Sequence, residues 1–485
     1  MNQKAPSHTI WSAAEAAKAT GGTATGEWYA TGISIDTRTL QKGDLFIALR
    51  GDHSDGHAHA VAALEKGACA VMIDHRPEGL AEDAPVLLVE DTFKALQDLG
   101  RASRARSAAR VIAVTGSVGK TGTKEMLARA FGSYSQTHAA QKSYNNHWGV
   151  PFTLSAMHAG CDTGIFEIGM NHAGEISPLT QMVQPDIAII TTVAPVHVEH
   201  FDGKIEGIAD EKAHIFDGLT EGGIALINRD MEMFERVADY ARKVGAIVMS
   251  FGKHPDSDYT LIDCLVAANG TRVTASMRGK KINYTLAYSG EHIAINSLAV
   301  LAALDICGAP MDKALKALSK MEAPVGRGAR ESLDIGDPNN PVTLIDESYN
   351  ASPTAMKAAF KVLALIDPGR GGRRIAVLGD MLELGKDGPK LHADLALPLK
   401  AANIDLVYTC GPLMKNLADK VDPSQRGGHK DNSAELAEIV PDALVPGDVV
   451  MVKGSFGSKM NVVVEALRAL PAKKGSNTTK RGKGQ

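Results

Sequence analysis

From Val111 onward, short runs that are apolar throughout alternate with longer stretches whose apolar residues recur at helical spacing. The runs "VIAV", "TGIFEIG", "DIAIITTV", "GIALIN" and "AIVMSF" have no consistent polar face. A strand apolar on both sides must be covered on both sides, which predicts a mostly parallel sheet between layers of helices. A β-rich patch follows from Tyr259 to Tyr288, then a helix, "AINSLAVLAALDIC". After a Gly-, Pro- and Asp-rich break, "APVGRGARESLDIGDPNNP", the alternation resumes with "VTLIDES", "RIAVLGD", "DLVYTC" and "DVVMVKG". Ahead of Val111, "ISIDT", "DLFIAL", "HAVAALEKGA" and "CAVMID" outline a smaller α/β unit. "FKALQDLGRASRARSAAR" then reads as a helix whose basic, Ser/Ala-rich end predicts a linker near Arg104 to Arg110.

The expected fold class is therefore α/β with three domains. A small N-terminal α/β domain spans 1–107, a central sheet domain 108–325 and a Rossmann-like C-terminal domain 326–470. The remaining 471–485 form a basic, Gly/Ser/Thr-rich tail that cannot bury a core and is expected to be disordered. The 485-residue length fits about three domains by size. A formal net charge of −4 argues against nucleic acid or an acidic membrane surface as partner. Cys69, Cys161, Cys264, Cys307 and Cys410 lie far apart without CxxC spacing, which argues against a disulfide framework or zinc site and fits a reducing compartment. No apolar run nears the roughly 20 residues of a transmembrane helix, and the N-terminus lacks signal-peptide character. A monomeric cytoplasmic protein without membrane insertion is the expectation.

Candidate chemistry begins at "AVTGSVGKTGTKE", Ala113 to Glu125, where a strand feeds a glycine turn and a helix. In such a turn backbone N–H groups converge on an anion and the helix N-terminus adds its dipole, so the central domain is of P-loop type. Thr115, Gly116, Ser117, Val118, Gly119, Lys120, Thr121 and Gly122 form the candidate ATP loop. Lys120 would reach the outer phosphates and Thr121 would ligate Mg²⁺. Val114 replaces the first glycine of the strict pattern, so the loop is a variant. No base-reading N-K-x-D is present: "INRDM" lacks the lysine, and "EIGM" has its glycine misplaced for a D-x-x-G. Three domains exceed what a small-molecule kinase needs, which suggests an enzyme that joins two substrates.

Further motifs lie in order along the chain: "SIDTRTLQKGDLFIALRGDHSDGH", "SYNNHWGVPFTL", "FEIGMNHAGEI", "APVHVEHF", "DEKAHIF", "GEHIAINSLAVLAAL", "VGRG", "DESYNASPTAM", "VLGDMLELG" and "VKGSFGSKM". With these the chain resembles the Mur ligases, the ATP-dependent amide-forming enzymes of peptidoglycan synthesis, from about Ile33 to Leu470. The resemblance implies that ATP phosphorylates the carboxylate of a UDP-linked peptide and an amine then attacks the acyl phosphate. "GDMLELG" stands where the diamino-acid-adding branch carries "DNPR", which implies UDP-N-acetylmuramoyl-tripeptide and D-alanyl-D-alanine as substrates with ATP. The alternatives are a ligase adding a single amino acid and an ATP-binding scaffold without turnover.

Site roles follow from the resemblance. Glu167 ends a predicted strand, where a carboxylate suits Mg²⁺ but equally caps a helix or faces solvent. The resemblance implies a metal ligand there and a second at His197, otherwise an ordinary loop histidine beside the decoy His200. Lys212 reads as a helical surface lysine paired with Asp210 or Glu211, whereas the resemblance implies an N-carboxylated lysine helping to hold two Mg²⁺ ions. Carbamate formation needs a neutral amine, so Lys212 would have to be desolvated or near other cations. An unmodified Lys212 contacting the acyl phosphate is the fallback. Asn145 and Asn146 would face substrate, or cap the helix that follows. Adenine recognition falls to His292 and Asn296, with Ile293 replacing the common asparagine. Arg327 would reach a phosphate, Asp346 the ribose, with Tyr349 and Asn350 completing that loop. Ser34, Asp36, Thr37 and Arg38 would take the UDP end, although Arg38 and Asp36 could equally pair with each other. Asp380, Glu383, Lys453 and Ser455 would line the amine pocket, and domain 326–470 would close on ATP and dipeptide.

Overall fold

Every central apolar run becomes a strand of one parallel array in the computed structural model, which describes residues 8–51, 54–140, 143–195, 201, 203–323 and 325–470. His197, His200 and the predicted tail 471–485 lie outside those residues. In spatial order the array runs Ile247–Gly252, Ile224–Asn228, Ile187–Ile190, Arg110–Thr115, Thr163–Glu167 and Thr137–Ala139, all parallel. The last, "THA", is a short, partly polar edge strand that apolar patterning passes over.

By internal contacts the chain divides into two compact units: Met1–Val193, Glu206–Tyr259 and Ala299–Ala314 in the first, the rest in the second. The first also holds a five-stranded sheet in the order Thr23–Thr25, Val86–Leu88, Ala70–Ile73, Asp44–Ile47 and Gly32–Ser34, parallel except for its first strand. The helix Thr92–Ala105, N-capped by Asp91, sits between this sheet's core and the central array. Beyond Ala105 the expected linker carries the chain to the strand Arg110–Thr115, and its basic residues are tied down. Arg104 donates to the carbonyls of Val183 and Gln184, and the Arg106 guanidinium lies 3.7 Å from the Trp11 ring centroid. Ser103 Oγ donates to Met157 O and Trp11 Nε1 to Ser155 O, each at 2.8 Å. Arg104 thus satisfies carbonyls at the end of the helix Ile176–Val183, which composition does not reveal.

The second unit contains the hairpin Gly270–Met277 with Lys280–Leu286. Its turn residues Arg278 and Gly279 both have positive φ, as a tight two-residue connection requires. Its main sheet runs Ala329–Leu333, Val342–Glu347, Val449–Lys453, Arg374–Gly379, Leu406–Cys410 and Arg426–Lys430, with only the first strand antiparallel. Apolar clusters cover both faces. The two edge strands, "ARESL" and "RGGHK", carry too little apolar signal to be predicted.

Candidate active site

The strand Arg110–Thr115 hands the chain to a turn that opens the helix Lys120–Gly132. Gly116 (φ 148°) and Gly119 (φ 92°) take conformations that side chains disfavour. A Cβ on Gly116 would lie 2.0 Å from Thr191 Oγ1, so only glycine lets the neighbouring strand end approach. Thr191 Oγ1 donates to Val118 O (2.7 Å), and Asn228 Nδ2 to Thr191 O (2.8 Å), bracing the loop from two further strands. Lys120 Nζ donates to Gly116 O at 2.6 Å. Val114, in the departed position, is a buried strand residue, so the variation leaves the turn intact.

Glu167 ends the strand that pairs with Val114 and is 2% exposed. Its Oε1 accepts from Asn145 Nδ2 (2.7 Å), whereas buried Oε2 has no hydrogen-bond partner among the described residues. A buried, unpartnered carboxylate oxygen is costly unless something else satisfies it. Thr121 Oγ1, 3.3 Å from Ser143 Oγ, supplies another hard oxygen on the first turn of the P-loop helix. The donor set fits Mg²⁺. Asn145 and Asn146 part company: Asn146 Oδ1 accepts from the N–H groups of Trp148 and Gly149 and caps the helix Gly149–Ser155.

Lys212 is not the surface residue its neighbours suggest. Asp210 is taken by Arg236 (2.6 Å), and Glu211 accepts from the N–H groups of Gly174 and Ile176 at the start of the helix Ile176–Val183. Lys212 itself is 2% exposed. Burial first, and then the Lys120 ammonium, push its pKa well below the ordinary 10.5, with Glu211 opposing. Both conditions for a neutral amine are therefore present.

In the second unit, His292 is exposed at the start of the helix Glu291–Ile306, within electrostatic reach of Glu347 and Lys453; Asn296 is buried one turn on. Arg327 stacks on Tyr349, 4.2 Å from the ring centroid, and Tyr349 neighbours Phe456. Asp346, the residue expected to reach the ribose, is engaged from several sides. It is 1% exposed, Oδ1 accepts from Ser348 N and Oγ, and Oδ2 from Gly326 N and Arg468. Asp380 likewise turns inward, its carboxylate accepting from Leu413 N and Met414 N. Lys453 Nζ is held by Glu347 Oε2 (2.9 Å) and Asn350 O (3.0 Å). Ser455 Oγ accepts from Leu382 N, and Glu383 stands exposed with φ 63°. Near the N-terminus, Asp36 and Arg38 form a bidentate pair (2.7–3.1 Å), Ser34 Oγ donates to Asp36 O, and Thr37 O accepts from Lys66.

Residues 29–104 match the catalytic domain of the Mur ligase family, 114–304 the Mur ligase middle domain, and 334–456 the Mur ligase glutamate ligase domain. The chain is 33% identical over 443 residues to the UDP-N-acetylmuramoyl-tripeptide–D-alanyl-D-alanine ligase of Bacillus subtilis, covering 91% of this chain and 93% of that one. To the ligase of the same name from Escherichia coli it is 34% identical over 440 residues, covering 90% and 93%. The chain belongs to the Mur ligase family.

The crystal structure of MurF from Acinetobacter baumannii superposes with a TM-score of 0.80 at 26% identity, covering 94% of this chain and 98% of that one. MurF ligase from Thermotoga maritima, solved in complex with ADP, shares the fold with a TM-score of 0.73 at 24% identity, covering 91% and 98%. The three-domain α/β architecture is thus that of the Mur ligases. Around its P-loop, this Mur ligase uses residues that the sequence did not single out. Thr191 and Asn228 are polar ends of otherwise apolar strands, a legible signal, while fully buried Lys124, held by Glu125 and Ala140 O, hides inside "TKE". No helix among the described residues is long and apolar enough to cross a membrane.

Proposed function

We propose that this Mur ligase uses ATP to join D-alanyl-D-alanine to UDP-N-acetylmuramoyl-tripeptide, as a cytoplasmic step of peptidoglycan precursor synthesis. The observation that carries the reading is the first unit's constellation: a P-loop lysine, a buried lysine driven toward neutrality, and a strand-end carboxylate with one oxygen unspent. The similarity to relatives named for this reaction, over about nine-tenths of the chain, supports the choice of amine.

In this reading a carboxylate oxygen of the tripeptide attacks the γ-phosphorus, ADP leaves, and an acyl phosphate forms. The dipeptide nitrogen then attacks the acyl carbon, phosphate leaves, and the nitrogen loses its proton. The loop Thr115–Gly122 cradles the phosphates through its N–H groups and Lys120. Thr121 and Glu167 would hold Mg²⁺, with His197 by resemblance; when bound, the metal neutralises charge between phosphate and carboxylate. Asn145 orients Glu167 by occupying its Oε1. Neutral Lys212 can add to CO₂, its nitrogen bonding to carbon and losing a proton, to give a carbamate whose charge would help hold the metal. The N-terminal segment 1–107 is assigned the UDP end, 108–325 ATP, and 326–470 the dipeptide.

Phosphate release with ATP, Mg²⁺ and UDP-muramoyl-tripeptide tests the reading, comparing D-alanyl-D-alanine with single amino acids and following product mass. Release that requires the dipeptide, with the matching mass gain, is expected. Turnover with a single amino acid moves the enzyme to another ligation, and nucleotide binding without release makes it a scaffold.

A further inference from the structure

His392, in "LHADLA", is the most deeply buried histidine at the amine-side loop, fully enclosed on the short helix Gly388–Ala393. It touches two ends of one segment. Its Nε2 lies 2.9 Å from Met381 N and accepts that N–H; its Nδ1 lies 2.6 Å from Gly388 O and donates to it. Each ring nitrogen thus has a fixed role, and the ring pins the start of the segment "MLELGKDG" to its end. Burial lowers the pKa, with the Gly388 carbonyl and Asp380 opposing, so the ring stays in the neutral form that can accept as well as donate.

The same segment is tied at neighbouring residues. Asp380 O accepts from Ser455 N (3.0 Å) and Ser458 Oγ (2.9 Å), and Leu382 N donates to Ser455 Oγ (3.0 Å). Amid this anchoring Glu383 stands at φ 63°, a conformation uncommon for a non-glycine residue. Leu382 is left 39% exposed and Phe456 74% exposed. A Cβ on Gly457 would lie 2.7 Å from Leu382 Cδ1, so the leucine is seated directly on the Phe456–Ser458 turn. Two loops at the carboxyl ends of the strands Arg374–Gly379 and Val449–Lys453 therefore present a preset apolar lip.

We infer that His392 is a positioning residue for the amine substrate: it holds the loop Met381–Gly388 so that Leu382 and Phe456 stand ready to contact the methyl groups of the incoming dipeptide. This rests on the proposed assignment of the C-terminal segment to D-alanyl-D-alanine. Loss of a buried hydrogen bond at an anchor is worth about a tenfold change in an equilibrium.

The test compares His392→Leu, His392→Asn and His392→Gln in the full chain. Asn can place a donor near Gly388 O but cannot reach Met381, whereas Gln can reach Met381 N. The expected result is a KM for D-alanyl-D-alanine raised about tenfold in the Leu and Asn variants. KM for ATP should stay near wild type, and Gln should recover most of the loss. Equal shifts in both KM values, or a Gln variant no better than Asn, overturns the role. If His392→Leu prevents folding, the Gln–Asn comparison decides alone. Wild-type enzyme that ignores the dipeptide but turns over another amine defeats the substrate assignment instead, and the same variants are then read with that amine.

Discussion

Glu167 and Asp380 occupy equivalent places: each is an acid at or just beyond the carboxyl end of a parallel strand, and each is almost fully buried. Their surroundings differ. Asp380 gives its side chain to the backbone N–H groups of Leu413 and Met414 and its carbonyl to Ser455 and Ser458. Glu167 gives one oxygen to Asn145 and keeps the other without a protein partner among the described residues. A buried acceptor without a partner among the described residues asks for one from elsewhere, such as an ion or a ligand; a satisfied one already helps to hold the fold. Asp346, like Asp380, has both carboxylate oxygens engaged by the protein.

Three substitutions press on this contrast. The largest effect should come from Glu167→Gln, which keeps the amide oxygen for Asn145 and removes the charge. Turnover should fall on the order of 10²–10³-fold, as when a group stabilising transition-state charge is lost. The melting temperature should hold or rise, because no hydrogen bond to Oε2 from the described residues is lost. A melting temperature that falls as steeply as activity would put Glu167 in the structural class after all. Asp380→Asn should behave oppositely, costing about 1–3 kcal/mol in denaturant unfolding because an amide NH₂ would face an N–H donor. Its turnover at saturating substrate should change far less than that of Glu167→Gln.

The finest test concerns Lys212. Burial and Lys120 lower its pKa in the folded chain, so between that lowered value and the ordinary 10.5 the unfolded chain binds a proton that the folded chain does not. Stability must therefore climb with pH across that window. In CO₂-free buffer, Lys212→Met should be more stable than wild type at pH 7, and the gap should close as pH approaches 10.5. A gap independent of pH would mean that the Lys212 amine is not driven toward neutrality.

Much of this was legible in advance, for identifiable reasons. Strands buried on both faces announce themselves as unbroken apolar runs, so "VIAV", "GIALIN" and "RIAVLG" were read at sight, while edge strands such as "RGGHK" and "THA" were not. The P-loop was legible because phosphate binding constrains backbone and side chain together within a few residues. Lys212 was legible only through the family resemblance: by its neighbours "DEK" reads as a solvated helix, and the packed structure assigns Asp210 to Arg236 and Glu211 to a helix end. The surroundings of Asp346 and Asp380 are hidden for the converse reason: Gly326, Arg468, Leu413 and Met414, which donate to them, lie far off in the sequence. His392 left no signal beyond a lone histidine in the short mixed helix "GPKLHA".

The bond from Lys120 to Gly116 O bears on how a nucleotide would be recognised. An ammonium has three N–H donors, so Lys120 can keep that carbonyl and still turn a donor to a phosphate. The carbonyl thus serves as a rest for the side chain, and a nucleotide would meet a lysine already placed. Rotamer freedom lost on folding is freedom that binding need not remove, which leaves more of the contact energy as affinity.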